Sequence, residues 1–171
     1  MTDVKFNSAL IVGAGSGLSA ALARALAKDG IKVALAARTT ADLDALVKET
    51  GARVFACDAS QRGEVDRLFA DLDASFGAPE IVVYNASFRT RGPFVDLDPA
   101  DVEKALDVTA YGAFLVSQQA ARRMLPKRHG AILLTGYLGG AIYVHVRIGS
   151  PLFSHTLFGV YLGLLIWGGL W

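Results

Sequence analysis

The residues with the clearest chemical potential form one turn, Val12-Gly13-Ala14-Gly15-Ser16-Gly17-Leu18-Ser19. Its glycines permit a tight bend and let the backbone come close to a bulky anion. A helix beginning there offers first-turn amides without intrahelical acceptors, and a dipole that favours negative charge, so the turn suits a pyrophosphate. Such a turn also has a plain steric explanation. Its position after an apolar strand and before a periodic helix favours dinucleotide binding. Arg38 ends the second apolar run, Leu35-Ala-Ala-Arg38. An acidic residue there would bond the ribose 2′-OH of NAD, whereas arginine suits the 2′-phosphate of NADP. NADP is therefore expected in preference to NAD, with a solvated strand-end arginine as the plainer alternative.

These residues must be positioned by an alternating pattern. Ser8–Val12, residues 31–36, 53–57, 81–84 and 131–135 read as short apolar strands bordered by turn residues. Between them lie helical stripes: Leu18, Leu22 and Leu26 with Ala21 and Ala25; then Leu43, Leu46 and Val47 after a Thr40 cap. Val65, Leu68, Phe69, Leu72 and Phe76 follow a Ser60 cap. One long helix is expected from Pro99 to Leu125. The alternation predicts a Rossmann-like α/β fold, a doubly wound parallel sheet of about five strands, incomplete on its C-terminal side, followed by a hydrophobic helical tail. The domains would be residues 1–136, binding the nucleotide, and 137–171, the tail.

The five motifs together resemble the ordered signature of short-chain dehydrogenases/reductases. They are Gly13 to Ser19, Cys57-Asp58-Ala59, Tyr84-Asn85-Ala86-Ser87, Thr109-Ala-Tyr-Gly112-Ala-Phe114 and His129-Gly-Ala-Ile-Leu-Leu-Thr-Gly136. The resemblance covers residues 5 to 136. It implies a nicotinamide dinucleotide as partner, with Gly13, Gly15, Ser16, Gly17 and Leu18 at the phosphates and Asp58 and Ala59 at the adenine. Asn85 and Ala86 would line the central sheet, and helix pairing would give a homodimer. Ser19 stands where the family pattern has a further glycine. The family's proton relay uses Ser, Tyr and Lys supported by an Asn from the long helix; here Thr109 matches that Asn, and no Tyr-x-x-x-Lys follows Thr135-Gly136. No lysine follows Lys127, and Tyr137, Tyr143 and Tyr161 lack a lysine four residues on. No catalytic residue is therefore assigned, and turnover is expected to be slight.

From Ala131 to Trp171 the only acidic or basic residue is Arg147. Residues 152–171 provide the roughly 20 apolar positions that span a bilayer core as a helix. Arg122, Arg123, Lys127 and Arg128 upstream would keep the preceding domain cytoplasmic. The run Gly136 to Phe153, with its Gly-Gly…His-x-Arg-x-Gly-x-Pro pattern, resembles the end of small DoxX-like membrane proteins. His145 and His155 read as polar positions at a membrane turn, since no cysteine or carboxylate accompanies them as ligands. The chain thus reads as a reductase cut before its catalytic segment and joined to a membrane-protein fragment. A membrane-anchored, non-catalytic nucleotide-binding or scaffold protein, or a non-functional fusion or truncation product, are the alternatives.

Bulk properties narrow the field. Net charge is +1, which gives no electrostatic basis for nucleic-acid binding. Cys57 is the single cysteine, so an internal disulfide is excluded. The N-terminus lacks the basic and apolar regions of a secretory signal.

Overall fold

The computed structural model describes residues 5–135. They contain five strands: β1 (Ser8–Val12), β2 (Lys32–Ala37), β3 (Arg53–Ala56), β4 (Ile81–Tyr84) and β5 (Ala131–Leu134). The helices are α1 (Leu18–Lys28), α2 (Asp44–Thr50), α3 (Arg62–Ser75), α4 (Pro99–Leu106) and α5 (Gly112–Met124). All pairings are parallel, in the order β3-β2-β1-β4-β5. The chain builds outward from β1 to β3, then crosses back to place β4 on the other side of β1. The expected α/β Rossmann-like sheet is present.

Alternating side chains feed two cores, as strand geometry requires. Leu10 and Val12 of β1 pack with Val65, Leu68, Phe69 and Leu72 of α3 and with Val116 of α5. Ile11 between them packs on the opposite face, with Ala20 and Ala23 of α1 and Leu46 of α2. The sheet is therefore covered on both faces, which explains strands apolar along their whole length.

Three local expectations need correction. The buried face of α1 runs through Ser19, Ala20 and Ala23; Leu22 and Leu26 are half-buried, Ala21 and Ala25 are exposed, and Leu18 is 59% exposed. Small residues bring the helix close to the sheet, and the leucines are displaced toward its flanks. Neither Thr40 nor Ser60 caps a helix. Residues 41–43 form a 3₁₀ turn before α2, and Gln61 precedes α3, while the Ser60 hydroxyl donates to Asp58 Oδ1 at 2.7 Å. The long helix is interrupted by a wide π turn, Asp107–Tyr111, between α4 and α5. The buried Tyr84 hydroxyl donates to the Val108 carbonyl inside that turn. A side chain entering the helical ladder in this way opens it.

The described residues up to Leu134 form one compact unit. Among the described residues, no helix is long and apolar enough to cross a membrane. The segment expected to associate with lipid, 152–171, lies outside the described residues, as do His145 and His155. β5 is an edge strand among the described residues, with Ile132, Leu133 and Leu134 each 36–47% exposed.

Candidate functional site

The site follows from the strand order. β1 is flanked by β2 and β4, and the crossovers leave in opposite directions on either side of it. A crevice therefore opens beyond the carboxyl ends of β1 and β4, where doubly wound sheets bind ligands. A cleft of about 330 Å³ lies there. Its walls include Val12, Gly13 and Ala14 from the first turn and Arg38, Thr39 and Asp42 after β2. Cys57, Asp58 and Ala59 follow β3; Asn85, Ala86 and Ser87 follow β4; and Val108 comes from the wide turn.

The first turn is held from below and open above. Gly13 has φ +84°, and a Cβ placed on it would lie 2.3 Å from the Ala86 amide nitrogen. Only glycine meets both conditions. The amides of Gly13 and Ala14 both donate to the Ala36 carbonyl, at 2.9 and 3.0 Å. Among the described residues, the amides of Gly15 to Ser19 have no backbone acceptor. A Cβ at Gly15 or Gly17 would meet nothing within 4 Å. This is the geometry a phosphate needs: fixed backbone, unsatisfied donors and space above them.

Ser19 resolves the departure from the glycine pattern. It is 2% exposed, and its hydroxyl donates to the Gly13 carbonyl at 2.9 Å while accepting from Asn85 Nδ2 at 2.9 Å. The extra hydroxymethyl group fits between helix and strand, with its polar atom satisfied in both directions.

At the β2 end of the cleft, Arg38 is exposed and makes no ion pair with a described residue. Asp42 shares this wall and was missed in the sequence, because it lies in a polar connection without a periodic signal. Asp58 has one carboxylate oxygen tied to Ser60 through both the amide (3.0 Å) and the hydroxyl (2.7 Å), and its own amide donates to Glu64 at 2.7 Å. That holds the end of β3 in place. Val108 was also missed, since a residue from a distant helix enters only through the tertiary fold.

Six expected residues, Gly13, Arg38, Asp58, Ala59, Asn85 and Ala86, come together as cleft wall. Gly15, Ser16, Gly17 and Leu18 belong to the same turn but stand outside that wall, with Ser16, Gly17 and Leu18 exposed. Two groups at or beside the wall keep their protons. Burial, with smaller contributions from Cys57 and Asp58, raises the Tyr84 phenol above its ordinary range. Burial likewise pushes the Cys57 thiol up to about 12, aided by the nearby Glu64 and Asp58 carboxylates, so no thiolate nucleophile is available at neutral pH. Thr109 Oγ1 accepts from the Phe88 amide at 3.4 Å, which ties the wide turn to the segment after β4.

Strand order, glycine turn and cleft together define a doubly wound α/β protein with a nucleotide-type crevice. Comparison with known proteins makes the class specific. The family model described as Enoyl-(Acyl carrier protein) reductase matches residues 13–147. Nodulation protein G of a Rhizobium strain is 31% identical over 166 residues, covering 92% of this chain and 68% of that protein. The 3-oxoacyl-(acyl-carrier-protein) reductase MabA of Mycobacterium avium is 30% identical over 133 residues, covering 78% of this chain and 50% of that one. A solved short-chain dehydrogenase/reductase from Serratia marcescens superposes with a TM-score of 0.64 at 28% identity, covering 70% of this chain and 51% of that structure. The chain belongs to the short-chain dehydrogenase/reductase family. It spans about half the length of MabA and of the Serratia protein.

The match also bears on the expected junction at residue 136. It continues to residue 147, and the alignment with nodulation protein G takes in 92% of the chain, so similarity to reductases carries into the apolar segment. The resemblance of that segment to a DoxX-like protein gains no support from these comparisons.

Proposed function

We propose that this chain binds a nicotinamide dinucleotide, NADP in preference to NAD, across the crevice beyond β1 and β4. The observation that carries this reading is the first turn: Gly13 is locked against Ala86, while space stands open above Gly15 and Gly17. Gly13, Gly15, Ser16, Gly17 and Leu18 would hold the phosphates, Asp58 and Ala59 the adenine, and Asn85 and Ala86 the region toward the nicotinamide. Arg38 would meet the 2′-phosphate, since it has no competing ion pair among the described residues. When bound, the dinucleotide supplies hydride for interconversion of a carbonyl and an alcohol.

Turnover by this sequence is slow in this reading. The Tyr-x-x-x-Lys pair is missing from the sequence, and Tyr84, beside the cleft, keeps its proton on Val108. Binding without chemistry is the corresponding non-catalytic role, located in the cytoplasm. The α4–α5 face, where Leu106, Tyr111 and Phe114 are exposed, would pair two copies of the chain.

Arg38→Ala tests the cofactor preference. Loss of a charge-assisted contact to phosphate weakens NADPH about tenfold or more and leaves NADH within about twofold. Equal losses for both coenzymes would remove Arg38 from the 2′-phosphate site.

A further inference from the structure

Among the described residues, Ser19 is the one polar side chain fully buried between α1 and the sheet, and both of its hydrogen bonds reach parts of the cleft wall. Its hydroxyl has a single proton, which goes to the Gly13 carbonyl. Its lone pairs then receive the Asn85 amide. One oxygen thereby couples the start of the glycine turn, the first helical turn of α1 and the end of β4. Three elements that only meet through the tertiary fold share this atom.

The opposite side of the turn is restrained differently. Gly13 and Ala14 are anchored through their amides to Ala36 of β2, whereas among the described residues only Ser19 holds the Gly13 carbonyl. That carbonyl and its amide sit on either side of the bend, so the pair of anchors fixes the peptide plane from which Gly15 to Leu18 extend. A glycine at position 19 would leave the Gly13 carbonyl and the Asn85 amide without this shared partner.

We infer that Ser19 is a positioning residue: its buried hydroxyl clasps Gly13 to Asn85 and pre-organises the turn that receives the pyrophosphate. This rests on the dinucleotide reading for its functional consequence, but the clasp itself is a property of the unliganded chain. The cost of ordering the turn is met on folding rather than on binding, which favours affinity.

Two variants of the full chain, Ser19→Ala and Ser19→Gly, test it, the second restoring the glycine of the family pattern. Amide hydrogen exchange without nucleotide is the first readout. The bonded amides of Gly13 and Ala14 should exchange about tenfold faster in both variants, while amides of β2 and β3 stay within about twofold of the parent. Unchanged exchange in the turn, or equal acceleration everywhere, overturns the clasp. NADPH titration is the second readout: the parent should bind about tenfold more tightly than either variant, or 1.4 kcal/mol. Faster exchange with no change in NADPH affinity overturns the link to binding. A parent that binds no coenzyme removes the dinucleotide reading and with it the role in binding, while the exchange result still decides whether the clasp exists.

Discussion

At the scale of single residues, the site depends on one backbone position that tolerates no side chain and on one side chain whose polar atom is fully used. Gly13 combines a left-handed φ with backbone of Ala86 at 2.3 Å from where its Cβ would stand. Gly13→Ala should therefore destabilise the fold by more than about 2 kcal/mol, since backbone strain and a clash with rigid backbone act together. Urea unfolding measures this, and a loss under about 0.5 kcal/mol, the range of an ordinary surface change, would contradict it. Gly13 was legible in the sequence because a strand, a glycine cluster and a helix adjoin. Ser19 was legible only as a departure. Its role depends on Asn85, which no local spacing brings near, so the sequence could not show whether the hydroxymethyl group crowds or fits.

At the scale of elements, strand positions were readable because short apolar runs ended in turn residues, and their pairing satisfied both faces of the sheet. The helix from Pro99 was readable at its start, where Asp98 accepts the Ala100 amide at 2.9 Å and proline takes the first helical position. Its interruption was not readable. The π turn is set by Tyr84 from another element, whose buried hydroxyl needs an acceptor and takes the Val108 carbonyl. Directly after the turn, Gly112 lets α5 approach the sheet: a Cβ there would lie 2.4 Å from the Tyr84 hydroxyl and 2.8 Å from the Ala59 carbonyl. Gly112→Ala, although it improves helix propensity, should cost about 1–3 kcal/mol through overpacking. A thermal or urea unfolding midpoint that rises would show that α5 does not sit against Tyr84. The caps were misread for a related reason. Ser60 has a stronger local partner in Asp58, and a side chain already engaged there does not cap α3.

At the scale of the whole molecule, the two ends of the sheet have separate tasks. The carboxyl ends form the cleft, and the amino ends are tied together by Glu80. Its carboxylate accepts from the Asn7 amide at 2.6 Å and the Asn7 side chain at 3.3 Å, with His129 Nε2 at 3.5 Å. Partial burial alone would raise its pKa; the Asn7 and His129 contacts outweigh that and hold it below the ordinary carboxylate value. A carboxyl lowered in the folded state contributes stability above its unfolded pKa, about 4.3, and loses it as pH falls through the folded value. Glu80→Gln should accordingly be less stable than the parent at pH 7 and lose less stability on acidification toward pH 3, followed by urea unfolding at each pH. Parallel losses in both proteins would show that Glu80 does not gain from its partners. The parallel sheet was legible because βαβ alternation leaves few topologies, whereas its strand order emerged only from the fold. The substrate was not legible, because the expected residues that come together at the cleft are those assigned to the coenzyme.

The claim on which the rest depends is that the crevice between β1 and β4 holds a nicotinamide dinucleotide. Isothermal titration of the purified full chain with NADPH, and separately with NADH, measures it directly. The account predicts a saturable, one-site isotherm for NADPH with a Kd below about 1 mM, tighter than that for NADH. An absence of binding heat with both coenzymes at several temperatures would contradict it.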